Sequence, residues 1–402
     1  MRTSVEELLK TTFAGHQRVD ELRDLMDPSN VGQPKLHIDR HVPDLLALSA
    51  CTNLISSQAY RNGSIILQDK ASCFPAVLLD PASLSGDVID ACAAPGNKTT
   101  HIAALLSSPR QVSNTGRTVF AIERDMARAV TLETMVKRAG ASECVIIQAS
   151  QDFLKLKPQD KAWKHVQGLL LDPSCSGSGI VGRDDSVPVL HLPDRDVTVG
   201  HQMPSKKRKR STEPKKEASR MVVEKPTIVP VPEAEPESEV DLSGRLLALS
   251  TFQLKLLVHA LSFPAARRIT YSTCSVHVTE NEHVVIRALQ SDVAQRRGWR
   301  ILPREEQVAS LASWDVRGDQ DACRSLMDDD IHASQIAQGC LRCNRDDGRG
   351  TQGFFVAALV RDDQATPNSR AGTQAAGNVN QTQLDREAVW NGFSEGESTD
   401  GE

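Results

Sequence analysis

Four short apolar runs that each end on or beside a carboxylate restrict this chain more than any other feature. They are Val88-Ile89-Asp90, Thr118-Val119-Phe120-Ala121-Ile122-Glu123, Cys144-Val145-Ile146-Ile147-Gln148 with Asp152 just past it, and Gly168-Leu169-Leu170-Leu171-Asp172. Helical stretches separate them, from Asn97 to Leu106 and from about Asp125 to Ala139, the latter with Gly140 as its C-terminal cap. Continuous apolar strands divided by helices imply a parallel sheet buried on both faces. The fold class is therefore α/β, Rossmann-like, with its ligand at the carboxyl ends of the strands.

The same reading assigns a helix to Ala71–Leu79, one to Leu242–Phe263 closed by Pro264, and strands to Arg268–Thr273 and Gly353–Val360. Thr279 and Glu282 suggest a capping box for a helix running to about Leu289. Residues 290–350 are polar and receive no assignment. The pattern divides the chain into an N-terminal helical segment (1–62), a main domain (63–180 and 241–361), a charged disordered insertion (181–240) and a disordered tail (362–402). In the first segment, Val5, Leu8 and Leu9 share a helix face, and Asp44–Leu48 after Pro43 reads as a second helix start.

Composition excludes several classes. Apolar residues make up 39% of the 402, below the ~45–50% of globular domains, in keeping with disordered segments. Basic and acidic residues number 47 and 52, so any nucleic-acid surface has to be local. No apolar run approaches the ~20 residues of a membrane helix, and the start lacks a secretory core. Nine cysteines without a regular framework point to a reducing intracellular compartment. Cys340 and Cys343 form a lone C-x-x-C, which makes zinc the minority reading. The run Lys206–Arg210 reads either as a solvated part of a flexible insertion or as a nuclear-targeting or phosphate-contacting segment, with nuclear targeting favoured.

Asp90-Ala91-Cys92-Ala93-Ala94-Pro95-Gly96-Asn97-Lys98-Thr99 joins the first strand to its helix and directs backbone N–H groups and a carboxylate to one point. It has one glycine where a dinucleotide fingerprint has three, and it is not a P-loop. Glu123, ending the second strand, is placed for both hydroxyls of a ribose. A helix cap or a solvated loop acid is the plain alternative for any one of these acids; four in register favour S-adenosyl-L-methionine. Cys175, in Asp172-Pro173-Ser174-Cys175-Ser176-Gly177-Ser178-Gly179, and Cys274, in Tyr271-Ser272-Thr273-Cys274-Ser275, occupy Ser/Gly-rich loops on that face. A thiolate held there can act as a nucleophile.

These motifs, with Gln68-Asp69-Lys70-Ala71-Ser72, Arg245-Leu246, Phe252-Gln253 and Gly353-Phe354-Phe355-Val356, resemble the Sun (Fmu-type) family of RNA cytosine-5 methyltransferases. The likeness covers about residues 35–180 and 241–361 and lies nearest the eukaryotic nucleolar branch acting on large-subunit ribosomal RNA. It implies a class I S-adenosylmethionine-dependent fold, with Cys92, Ala93, Ala94, Pro95, Gly96, Asn97 and Lys98 looping round the cofactor. Glu123 would hold the ribose with Arg128 beside it, Asp152 would approach the adenine, and Asp172 the methyl end and the base. Cys274 would be the nucleophile and Cys175 would assist release. RNA is the implied partner of a nucleolar, monomeric protein without metal or membrane, and residues 1–62 would approach the RNA. The stretch before residue 35 is short, which leaves the RNA-positioning domain of some relatives absent or supplied by a partner. A non-catalytic assembly factor is the competing reading. A DNA methyltransferase fits less well, because Ser174 separates Pro173 from Cys175.

Overall fold

The computed structural model describes residues 3–25, 33–107, 116–180 and 239–361. The expected disordered insertion and tail, and the run Lys206–Arg210, lie outside the described residues apart from the first residues of a helix at Glu239.

The N-terminal segment differs from expectation. It holds α1 (Val5–Lys10), β1 (Gln17–Val19), β2 (Lys35–Ile38), β3 (Leu46–Leu48) and α2 (Gln58–Arg61), with β2 central, parallel to β1 and antiparallel to β3. The expected helix at Asp44–Leu48 is strand β3. Asp39 Oδ1 accepts the His41 and Val42 N–H groups, and Asp44 takes φ +60°, so the chain turns back on itself before a helix can nucleate. Leu46 and Leu48 then pair with Ile38 and Leu36. Pro43 marks a tight turn here, and five residues are too few for a helix to outcompete a waiting strand.

The main domain follows the predicted alternation. Its elements are α3 (Lys70–Leu79), β4 (Asp87–Asp90), α4 (Asn97–Leu106), β5 (Val119–Glu123), α5 (Met126–Ala139), β6 (Val145–Ala149), β7 (Val166–Leu171), α6 (Glu239–Leu261), β8 (Arg268–Thr273) and α7 (Glu282–Gln290). The stretch 290–350 resolves into α8 (Asp292–Arg297), β9 (Trp299–Ile301), α9 (Ala309–Ala312), α10 (Gln320–Arg324), α11 (Asp330–Gly339) and β10 (Leu341–Cys343), ahead of β11 (Phe354–Arg361). The eight-stranded sheet runs β10-β11-β8-β7-β4-β5-β6, with β9 also on β11. Strands β4 to β8 are mutually parallel, whereas β11 is antiparallel to β8, β9 and β10.

Alternate residues along the strands feed two layers. Ile89, Leu169, Leu171, Tyr271 and Phe355 pack with Leu257, Leu261 and Val285 of α6 and α7. Val88, Ala121 and Leu170 pack with Ile102, Leu132 and Val136 of α4 and α5, while Val356 and Ala358 meet Phe74 and Trp314. Burial of both faces is why these strands carry no polar alternation. From β4 the chain winds outward through β5 and β6, then crosses back to β7 on the other side. The order reverses between β4 and β7, and Asp90 and Asp172 lie at the carboxyl ends of these strands, where α/β sheets take their ligands.

The expected capping box is absent. A 3-10 turn (Val278–Glu280) precedes α7, and Asn281 holds the cap position without a capping side-chain bond. Glu282 instead accepts two bonds from Arg342, at 2.7 and 2.6 Å, and one from the Asp319 N–H. A buried bidentate guanidinium outcompetes a single backbone donor.

An ion pair joins the N-terminal unit to α3, beside the packing of Val42 on Phe74. Lys70 Nζ stands 2.7 Å from Asp39 Oδ2, the two side chains 11% and 3% exposed, and 5.3 Å over the Trp314 ring. Removing one partner of so enclosed a pair costs about 3–5 kcal/mol. Asp39→Ala should lower the urea midpoint accordingly, and a midpoint within error of wild type would show that the pair does not hold the two units together.

Candidate active site

The predicted acids converge at the carboxyl rim of the sheet. Asp90, 1% exposed, accepts the Thr99 hydroxyl at 2.7 Å and the Cys92 N–H at 3.4 Å. It therefore ties the strand end to the first turn of α4. Burial lifts its pKa to about 6, with the nearby Asp172 charge adding to the rise. Glu123 accepts the Ala94 N–H on one carboxylate oxygen (3.2 Å) and the Asp125 N–H on the other (2.8 Å), so it braces the 91–97 loop. Arg128 closes the same loop by donating to the Ala94 carbonyl at 2.8 Å, with Glu123 at 3.9 Å. Gly96 turns the loop at φ +115° and packs against Leu132 and Met135, where a side chain would crowd α5. Asp152 caps the turn Phe153–Lys155 through the Leu154 N–H.

Lys98 points away from the loop, to the end of β7. Its ammonium lies 2.8 Å from Asp172 Oδ2, 2.8 Å from Ser72 Oγ and 5.5 Å over the Phe354 ring. Burial pulls the Lys98 pKa down, but Asp172 overrides it, and the group rests above its ordinary value. Asp172 also accepts the Ser272 hydroxyl at 2.6 Å, so its carboxylate is fixed from both sides. The Cys92 thiol sits among these acids. Burial first, then Asp90, Asp172 and Glu123, push its pKa far up, which makes it an inert neutral filler.

Cys175 and Cys274 meet although 99 residues separate them. Their sulfur atoms are 3.1 Å apart, without a disulfide between them, and both residues are partly exposed. The hydrogen bond with Cys274 first, then burial, hold the Cys175 thiol well above its usual pKa. Cys175 accordingly keeps its proton, while either sulfur can be the donor in the contact.

A buried polar network sets this contact. Glu280, 0% exposed, accepts the Ser176 N–H (3.0 Å), the Ser176 hydroxyl (2.6 Å) and the Gln253 amide (2.9 Å). Gln253 also donates to the Ser174 carbonyl at 3.0 Å, and the Tyr271 hydroxyl bridges Gln253 Oε1 and the Glu280 carbonyl. The next residue, Asn281, accepts the Thr273 hydroxyl at 2.5 Å and donates to the Ser275 carbonyl at 2.9 Å. Beside it Gly179 donates to the Cys274 carbonyl and accepts from the Gly353 N–H. The two glycines touch so closely that a Cβ on Gly179 would overlap the Gly353 carbonyl.

The structure thus brings together Asp172, Lys98, Cys175 and Cys274, with Cys92–Asn97, Glu123 and Arg128 on the adjoining rim and Asp152 at the end of β6. Lys98 was expected at the cofactor loop alone; its partner Asp172 at the end of β7 was not foreseen. Glu280 and Asn281 were missed as well. The available signal was a pair of polar residues, Glu280-Asn281, shortly after the Thr-Cys-Ser loop, obscured by the apparent capping box. Cys340 and Cys343 belong to cores on opposite sides of β10, which separates the C-x-x-C pair. Among the described residues no group of His, Cys, Asp or Glu could hold a metal ion, and no helix is long and apolar enough to cross a membrane.

Residues 76–209 match the family profile described as 16S rRNA methyltransferase RsmB/F, and residues 1–68 that of the NOL1/NOP2/Sun domain family member 5, ferredoxin-like domain. A putative methyltransferase of Homo sapiens, NSUN5C, is 32% identical over 83% of this chain and 81% of its own length. The chain belongs to the NOL1/NOP2/Sun family of RNA cytosine-5 methyltransferases. Other Sun-family relatives include the 25S rRNA (cytosine-C(5))-methyltransferase rcm1 of Schizosaccharomyces pombe, 37% identical over 82% of this chain, and the 28S rRNA (cytosine-C(5))-methyltransferase of Mus musculus, 36% identical over 89%. The chain spans 56% and 59% of those two proteins. A methyltransferase homologue from Pyrococcus horikoshii shares the fold at a TM-score of 0.51 and 20% identity, with 85% of this chain and 83% of that one covered.

Two predictions follow from the site. Asp90 protonates at higher pH in the folded than in the unfolded chain, so the folded state loses stability as pH rises from 3.8 through about 6. At about 1.4 kcal/mol per unit the loss is roughly 3 kcal/mol. Asp90→Asn should remove that fall from chemical denaturation series across pH, and parallel curves for the two proteins would refute it. Glu280→Ala leaves buried donors unmatched, at about 1–3 kcal/mol. It should also speed alkylation of Cys175, read by mass spectrometry; an unchanged alkylation rate would mean that Glu280 does not hold the loop.

Proposed function

We propose that this chain methylates carbon 5 of a cytosine in large-subunit ribosomal RNA, using S-adenosyl-L-methionine and a covalent adduct on Cys274. The observation that carries the proposal is the Cys175–Cys274 contact beside the Lys98–Asp172 pair. The rRNA-acting relatives support it.

The residues fit the cofactor. Asp90, Glu123 and Asp172 surround Cys92 closely enough for each charge to act on its thiol, and this concentration of carboxylates suits a cationic ligand. Each Glu123 oxygen takes a single backbone N–H in the structure and retains acceptor capacity for a ribose hydroxyl. Cys92 to Lys98, Glu123, Arg128, Asp152 and Asp172 would hold the group. When bound, it supplies an electrophilic methyl on a sulfonium.

The protein's own residues account for the rest. Cytosine carbon 5 is a poor nucleophile while the ring is aromatic. Addition of the Cys274 thiolate to carbon 6 breaks that aromaticity and gives carbon 5 enamine character, so it can take the methyl. Asp172, fixed by Lys98 and Ser272, bonds the base's ring nitrogen or amino group and stabilises the adduct. The carbon 5 proton then leaves to water, its electron pair re-forms the carbon 5–carbon 6 double bond, and the carbon 6–sulfur bond breaks with its pair on Cys274, to which the protonated Cys175 gives its proton. The base reaches this mouth only when unstacked or single-stranded. The protein works as a monomer in the nucleolus during ribosome assembly, a placement consistent with Lys206–Arg210 as a nuclear signal.

With labelled methyl donor and ribosomal RNA, Cys274→Ala should lose transfer and Cys175→Ala should accumulate a denaturation-resistant protein–RNA adduct. A fully active Cys274→Ala enzyme would remove the nucleophile assignment, and bisulfite mapping of ribosomal RNA with and without the protein identifies the cytosine.

A further inference from the structure

The net charge of the chain gives no polyanion signal, yet one crossover concentrates cations. Between β6 and β7 the chain makes two 3-10 turns, Phe153–Lys155 and Lys161–Trp163. Lys155, Lys157, Lys161 and Lys164 are all exposed. Between them Phe153, Leu156 and Trp163 are 3%, 9% and 7% exposed. Phe153 stacks on Phe263 at 5.7 Å, and Trp163 meets Phe120 edge-on at 5.2 Å. Three buried anchors are thus interspersed with four exposed lysines along one crossover.

Two acids lie in this stretch, and both are turned to the backbone. Asp152 accepts the Leu154 N–H and Asp160 the Ala162 N–H, each at 3.0 Å. Among the described residues none of the four lysines forms an ion pair, so their charge is open to a ligand. The lysines start three residues after Asp152, at the rim where β6 ends, and the first of the two turns packs on α6, whose His259 meets Phe153.

We propose that Lys155, Lys157, Lys161 and Lys164 form a docking strip for the sugar-phosphate backbone of the RNA flanking the target base. The strip favours a nucleic acid over a protein partner because its large apolar residues face inward. A protein interface needs such residues outward as anchors, whereas phosphates need only point charges at intervals. Lysine supplies the charge without the planar fork that reads bases, so the contact holds the strand and leaves sequence choice to the active-site mouth. The inference rests on RNA being the substrate.

The test is fluorescence anisotropy of a fluorescein-labelled single-stranded RNA with the full chain, titrated with salt and without cofactor. Each phosphate contact contributes about 0.7 to the slope of log affinity against log salt for single strands. The variant K155Q/K157Q/K161Q/K164Q should therefore lose roughly 3 from that slope. A fourfold rise in salt should then cost the wild type roughly fifty times more affinity than the variant. The control R287Q/R296Q/R324Q/R345Q, an equal charge change at exposed positions elsewhere, should keep a slope within about one of wild type. An unchanged slope in the lysine variant, or equal loss in the control, would overturn the strip. A lysine variant that loses binding to polyglutamate while keeping the wild-type salt slope for RNA would overturn it in favour of an acidic protein. Should the fourfold variant melt early, Lys161→Glu alone, at an exposed position, must still reduce the slope. Absence of RNA binding by the wild type at low salt would remove the RNA reading itself, whereas failure of the strip alone leaves that reading standing.

Discussion

The dipeptide Glu280-Asn281 is the constraint on which the proposed chemistry depends. Glu280 fixes the loop of Cys175 through Ser176, and Asn281 fixes the loop of Cys274 through Thr273 and Ser275. The separation of two sulfurs from distant parts of the chain is thereby set across a single peptide unit. Such precision needs every member of the network satisfied, because a buried carboxylate with an unfilled acceptor destabilises the site it should order. Gln253 and Tyr271 complete that network from α6 and β8. The sheet contributes by bringing β7 and β8 side by side in parallel, so that the two loops leave from the same rim.

Charge sorting at the rim follows the same logic. Three acids and one lysine share a small volume, and environment gives each a different task. Asp90 is enclosed and bonded to Thr99, so it maintains the turn. Asp172 is held by Lys98 and Ser272 with its edge toward the opening. Glu123 braces the loop through its backbone bonds. Cysteines are sorted likewise: Cys92 is half-buried among anions and stays neutral, whereas Cys175 and Cys274 lie in contact at 3.1 Å with Cys175 holding its proton.

The parts of this architecture that could be read in the sequence are those governed by local periodicity. The strands ending on Asp90, Glu123 and Asp172 were legible because burial on both faces writes itself as unbroken apolar residues. Asp44–Leu48 was misread because Pro43 and the following leucines suit either a helix or a turn and strand, and the choice lies with Asp39 and the partner strand β2. Glu282 looked like half of a capping box because its true partner, Arg342, is 60 residues away. The elements between 290 and 350 are three to ten residues long, too short for a period to show, and are fixed by nonlocal burial such as that of Trp314. Cys175 and Cys274 were recognisable as loops, but their contact was not, since it arises from a network spread over β7, α6, β8 and the start of α7.

The fastening of the Cys175 loop has a consequence for the chain between Ile180 and Glu239. On one side Gly179 is bonded to the Cys274 carbonyl and to Gly353; on the other, Gln253 of α6 reaches back to Ser174. Both flanks are thus anchored independently of whatever joins them. Closing a longer connection between fixed ends costs only about 0.6 kcal/mol for each doubling of its length. The interval is therefore a natural port, where a tag, a localisation sequence or a whole domain can be inserted while the sulfurs keep their distance.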